Sequence, residues 1–199
     1  MNTFKIESAE FHSSHHDFRK IPENPTMPQA AFCGRSNAGK SSLINAILEK
    51  KELVKVSSTP GKTRCMNFFL LNRKMFFVDL PGFGYSKVSA SVQDKMIEMV
   101  NGYLNHTETL KILFILLDSA REIPEEEKDL IQVCLEKNIQ PVLIRTKIDK
   151  RNQKETAVLK KEKQILALEF PELKVIFASS KNGRGLEEIR NILSEFLYG

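Results

Sequence analysis

The chain has no tryptophan and only three cysteines, Cys33, Cys65 and Cys134, among 199 residues. An odd number of widely spaced cysteines supports neither a disulfide framework nor a zinc pattern. The longest uninterrupted apolar run, Ile112 to Leu117, is six residues, whereas a membrane helix needs about 20. The opening MNTFKIESAE lacks the apolar core of a signal peptide. No glycine follows the first Met for myristoylation, and the closing EFLYG has no cysteine for prenylation. These absences predict a cytoplasmic protein of a reducing compartment, with no membrane partner. Hydrophobic residues make up 41%, which is enough for a core and excludes disorder throughout.

What is present is an uneven charge. The net charge is +5. Residues 50 to 75 hold Lys50, Lys51, Lys55, Lys62, Arg64, Arg73 and Lys74 against Glu52 alone, a local net of +6. A second basic stretch runs from Lys147 to Lys163. Such stretches suit a phosphate-rich partner, or form a solvated basic surface.

Apolar runs alternate with helical patterns along most of the chain. Strands are expected at 29–33, 66–71, 75–79, 112–118, 141–145 and 175–178, and helices at 40–48, 91–104, 124–136, 156–169 and 186–197. That order predicts an α/β fold with a mostly parallel sheet and helices on both faces. Runs 66–71 and 75–79 are too close for a crossover helix, so they should form a hairpin and place one antiparallel strand in the sheet. Residues 1–11 alternate weakly and predict an edge strand. Residues 12–29, with three prolines and His12, His15 and His16, read as a loop. The expected organisation is an N-terminal extension, 1–28, packed on a domain spanning 29–199.

Gly34-Arg35-Ser36-Asn37-Ala38-Gly39-Lys40-Ser41 fits G-x-x-x-x-G-K-[ST] between a strand and a helix. The glycines let backbone N–H groups close on a phosphate, and the helix N-terminus adds positive potential. Lys40 can reach the β- and γ-phosphates, and Ser41 can bind Mg²⁺, with Ser42 beside it. Asp79-Leu80-Pro81-Gly82 follows another strand. Asp79 can hold Mg²⁺ through a water, and the Gly82 N–H can contact the γ-phosphate. Thr146-Lys147-Ile148-Asp149 follows a third strand. An Asp here accepts from both N1–H and N2–H₂ of guanine, a donor pair that adenine lacks. Ala178-Ser179-Ser180 ends the last strand, where backbone amides can approach the guanine O6. The loop Gly61-Lys62-Thr63-Arg64-Cys65 lies between the first two motifs. Thr63 is the chosen hydroxyl to complete the Mg²⁺ shell, with Ser58 and Thr59 as alternatives. The expected catalytic groups are therefore Lys40, Thr63 and Gly82.

These motifs resemble the translation-factor class of P-loop GTPases, and the EngB (YihA/YsxC) family in particular. The resemblance rests on GRSNAGKSSLINA at 34–46, STPGKTR at 58–64, MNFF at 66–69, DLPGFGYSKV at 79–88 and TKID at 146–149. It implies the three-layer GTPase fold with GTP and GDP as ligands; slow intrinsic hydrolysis is expected separately, from Phe83 directly after the D-x-x-G motif. It also implies a monomer that assists assembly of the large ribosomal subunit or its precursor, with a link to division septation. Contact with ribosomal RNA would run through the basic 50–75 segment. The chain departs from the family in lacking tryptophan and in displacing an arginine within Asp118-Ser119-Ala120-Arg121. Phe83 stands where Ras-type proteins carry a water-orienting Gln. Asn37 occupies the place where potassium-dependent GTPases carry a cation-ligating Asn. Either it holds K⁺ there, or it hydrogen-bonds the loop backbone.

Overall fold

A computed structural model of the chain describes residues 5–21, 27–50, 53–54, 65–82 and 90–198. Seven strands form one sheet: β1 (Ala9–His15), β2 (Gln29–Gly34), β3 (Met66–Leu71), β4 (Met75–Asp79), β5 (Leu110–Asp118), β6 (Gln140–Thr146) and β7 (Lys174–Phe177). Their spatial order is β1-β3-β4-β2-β5-β6-β7. β2 pairs in parallel with β4 and β5, β5 with β6, and β6 with β7. β3 runs antiparallel to both neighbours, β1 and β4, and is the single reversed strand. The helices are α1 (Lys40–Ile47), α2 (Ala90–His106), α3 (Glu125–Glu136), α4 (Gln153–Glu169) and α5 (Leu186–Tyr198).

The strand residues explain the two-sided core. Every residue of β2 is buried, as a central parallel strand covered on both faces requires. Alternation sends Ala30 and Phe32 into one layer with α1 and α5, and Ala31 and Cys33 into the other with α2, α3 and α4. Phe32 stacks on Phe114 at 4.7 Å and tilts against Phe77 at 5.0 Å. Truncating such a fully buried ring costs about 3–5 kcal/mol. Phe68, Phe69, Phe76 and Phe77 are all core residues.

Two expectations need correction. The edge strand is Ala9–His15, not the first eleven residues, so the loop reading of 12–15 fails. His12 packs edge-on to Phe76 at 5.1 Å and His15 to Phe68 at 5.6 Å, which gives these side chains an aromatic strand surface. A short 3-10 turn, Phe18–Lys20, then lays Phe18 over Gly102 of α2 and beside His106 at 4.9 Å. α4 begins at Gln153, earlier than the expected Thr156, because Asn152 and Glu155 form a reciprocal capping box. Among the described residues, no helix is long and apolar enough to cross a membrane.

The parallel strands β2, β4, β5, β6 and β7 end along one edge. β2 sits between β4 and β5, so the chain's crossovers diverge at its C-terminal end. Ligands bind at such a switch point in open α/β sheets.

Candidate functional site

The loop between β2 and α1 is shaped by unusual backbone. Asn37 has φ 61° and Gly39 φ 86°, both left-handed. Asparagine and glycine adopt this region more readily than other residues. Gly34 is required for a different reason: a Cβ there would lie 2.5 Å from the Leu116 carbonyl oxygen of β5. Gly39 caps α1 without any side-chain hydrogen bond. The first N–H groups of α1 therefore face the loop, as an anion cradle requires.

Other strand ends close around this loop. Asp79 ends β4 in register with Phe32 of β2, and its carboxylate pairs with Lys40. Leu80 N–H donates to the Phe32 carbonyl at 3.0 Å, anchoring the start of the next loop. Thr146 Oγ1 donates to the Ala38 carbonyl at 2.6 Å. Lys147 Nζ donates to the Asn37 carbonyl at 2.5 Å and to Asp118 Oδ2 at 2.8 Å. Lys147 is itself left-handed, φ 57°, and its stem passes close to Gly39. Asp149 stays exposed on the following turn, and Ser179 Oγ donates to its Oδ1 at 2.6 Å. That bond holds the Asp149 carboxyl below its ordinary value. Lys181 N–H also donates to Ser179 Oγ, at 3.1 Å. The phosphate loop, the strand-end Asp, the T-K-x-D turn and the Ala178–Ser179 turn thus form one continuous rim.

The family described as 50S ribosome-binding GTPase matches residues 29–147. A probable GTP-binding protein EngB of Leptospira biflexa is 48% identical over 173 residues, covering 86% of this chain and 81% of that protein. The chain belongs to the EngB family of GTP-binding proteins. It is a GTPase. A second relative bearing that name, from Desulforamulus reducens, is 40% identical over 199 residues, covering 98% of this chain and 95% of its own length. The fold agrees with the crystal structure of a probable GTP-binding protein engB, at TM-score 0.66 and 24% identity, covering 85% of this chain and 98% of that one. Era in complex with MgGDPNP and a segment of 16S ribosomal RNA has the same fold, at TM-score 0.66 and 22% identity.

In this EngB-family chain several expected site residues have structural partners of their own. The Arg35 side chain turns to α3, where Nε meets Glu127 Oε1 at 2.8 Å and Nη2 meets Glu126 Oε2 at 3.2 Å. Glu127 is fully buried, and its bond raises the guanidinium's affinity for its proton. Arg35 therefore offers the loop its backbone and ties the loop to α3. The Leu80 side chain lies in the core, and Pro81 and Gly82 are buried beside it. Cys65 accepts from Ser14 Oγ at 2.9 Å, next to the edge strand. Ser36, Ser41 and Ser42 are half-buried, Ile148 is buried, and Ser180 is exposed. Gly61, Lys62, Thr63 and Arg64 lie outside the described residues, as do Phe83 and most of the basic 50–75 segment.

Asp118 is the site residue that motif reading missed. Burial pushes its carboxyl up. The Lys147 hydrogen bond, the Ala120 N–H and the charges of Lys147 and Arg151 outweigh this and hold it below the ordinary value. Its position at the end of a strand before a polar loop was the available signal.

The donor set fits Mg²⁺. A hydroxyl at Ser41 and a buried carboxylate at Asp79 are hard oxygen ligands, the kind Mg²⁺ takes alongside waters and substrate phosphates. Among the described residues, no group of three or more His, Cys, Asp or Glu forms a separate metal cluster.

Proposed function

We propose that this GTPase is a nucleotide-controlled assembly factor for the large ribosomal subunit or its precursor, needed for normal division septation. The description of its matching family, 50S ribosome-binding GTPase, carries this reading. The basic 50–75 segment supports it. In sequence it lies between the 34–41 and 79–82 motifs, and its lysines and arginines suit ribosomal RNA phosphates.

The working site follows from the rim described above. The backbone of 34–39 and Lys40 hold the phosphates. Ser41 and Thr63 would ligate Mg²⁺, and Asp79 would hold it through a water. Bound there, Mg²⁺ would supply positive charge that offsets the charge of the phosphates. Lys40 leaves Asp79 for the phosphates when nucleotide enters. Gly82 senses the γ-phosphate through its N–H. Asp149 reads the guanine edge, and the amides of 178–180 approach O6. Residues 1–28 act as an extension of the 29–199 domain, and the protein works as a cytoplasmic monomer.

The test is co-sedimentation with large ribosomal subunits in GTP-analogue and GDP states over a salt series. Binding should favour the GTP analogue and fall steeply with salt. Lys55→Glu with Arg64→Glu should lower subunit affinity more than nucleotide affinity. Salt-independent association, or binding untouched by these reversals, would remove the RNA-facing segment from the reading. If tight subunit binding occurs with no stimulated turnover, the protein is a GTP-gated scaffold.

A further inference from the structure

Behind the T-K-x-D turn lies an open cavity of about 230 Å³, lined by both charged and apolar side chains, that the nucleotide site does not use. It opens between the β5–α3 loop and the first turns of α4, and Arg145 of β6 lies at its base. Arg145 is only 1% exposed. Its Nη2 donates to the Arg121 carbonyl at 2.5 Å. Its Nε stands 3.3 Å from Glu162 Oε2, within ion-pair range but without hydrogen-bond geometry.

Five buried polar atoms in this lining have no hydrogen-bond partner: Arg145 Nε and Nη1, Arg151 Nε, Ser119 Oγ and Glu162 Oε2. Buried polar groups are ordinarily satisfied, so such a cluster calls for a ligand or ordered water. The set is lopsided. Arg145 Nε and Glu162 Oε2 at least face each other, which leaves Arg145 Nη1 and Arg151 Nε with no acceptor, although Glu122 and Glu155 also line the cavity. Arg151 also bonds Glu155 through Nη1 at 2.7 Å, which leaves its Nε free for the cavity. The Arg145–Glu162 pair is under-compensated from both sides. Burial pushes the Arg145 guanidinium down despite Glu162 and Asp118. Burial pushes the Glu162 carboxyl up despite Arg145, and Glu122 adds to that rise.

The unmatched donors come from three elements: β6, the β5–α3 loop and the turn after Asp149. A planar carboxylate presents two oxygens in one plane, whereas a tetrahedral anion presents four in different directions. The volume far exceeds the roughly 30 Å³ share of one water. We propose that this cavity binds a small tetrahedral oxyanion of the inorganic-phosphate class through Arg145, Arg151 and Ser119. Glu162, when protonated, donates to the anion, and when ionised it accepts from a phosphate hydroxyl. Arg145 lies two residues before Lys147, and Arg151 lies two after Asp149. The anion therefore ties together both flanks of the base-reading turn and steadies bound nucleotide.

The experiment uses the full chain loaded with GDP and Mg²⁺, so that nucleotide already occupies the α- and β-phosphate positions of the loop. Inorganic phosphate is titrated against chloride at constant ionic strength while Tm and GDP release are followed. The wild type should show a saturable rise in Tm and several-fold slower release. Arg151→Gln and Ser119→Ala should each weaken the phosphate response about tenfold, and Arg145→Met should abolish it. If Arg145→Met fails to fold, the other two variants decide. Crystals of the GDP complex in selenate should show an anomalous peak between Arg145 and Arg151. A peak confined to the phosphate loop, with only water in the cavity, overturns the proposal. So does an equal phosphate response in the wild type and both milder variants. An equal response to acetate overturns the tetrahedral assignment.

Discussion

The Lys147 ammonium donates to the main-chain carbonyl of Asn37 across 110 residues of sequence, at 2.5 Å. One side chain thereby joins the turn expected to read the base to the loop expected to hold the phosphates. Asp118 supplies its counter-charge at 2.8 Å.

Lys147→Met should weaken GTP and GDP together. A hydrogen bond to a charged group is worth about 1.5–3 kcal/mol, or on the order of ten- to a hundredfold in affinity. Both nucleotides need the loop in the same place, so the loss should be equal for the two. Fluorescent-nucleotide titration measures it. A loss confined to GTP would show that Lys147 acts on the γ-phosphate and not on the loop.

Guanine binding should depend on pH through Asp149. Only the ionised carboxylate accepts from both guanine donors. Ser179 holds its pKa below the ordinary value, so binding is complete above that depressed pKa and fades as pH falls through it. Ser179→Ala should move this acid limb to higher pH. Asp149→Asn should flatten it and favour xanthine nucleotides. GDP affinity measured across an acidic pH series in the three proteins provides the check. An unmoved limb in Ser179→Ala would place the titrating group elsewhere.

Lys40 and Asp79 form a largely buried pair, with side chains 10% and 2% exposed. Removing one partner of such a pair strands the other, at about 3–5 kcal/mol. Lys40→Met should therefore destabilise the nucleotide-free protein by about 3 kcal/mol, and adding Asp79→Asn should restore much of that loss. Urea unfolding of the single and double variants tests this. Nucleotide binding should remain weak in both if Lys40 contacts the phosphates as proposed, since restoring stability does not restore that contact.

Asn37 offers a test of cation use. Its carbonyl is taken by Lys147, while its amide side chain stands on an exposed, left-handed residue. Asn37→Gly deletes the amide and keeps the backbone at ease. If K⁺ stimulates phosphate release over Na⁺ at constant ionic strength, this variant should erase the difference. Equal rates in the two salts for the wild type, with and without ribosomal subunits, would remove the cation.

The nucleotide motifs were legible because each is local. A glycine-rich run after an apolar strand, or an Asp at a strand end, carries its chemistry within a few residues. The single reversed strand was legible as well, since three residues between 71 and 75 leave room only for a hairpin. The early start of α4 was also written in the chain, as Asn152 and Glu155 at capping-box spacing. Tertiary structure alone decided that Arg35 serves α3 through Glu127, that Asp118 holds Lys147, and that the T-K-x-D turn is bonded to the phosphate loop. It alone placed Arg145, an unremarked strand residue, among unsatisfied donors beneath α4. These are pairings between residues 17 to 110 positions apart. Local pattern records which side chains can bond. Which ones meet is set by the order in which the strands assemble and by the loops that their shared edge brings together.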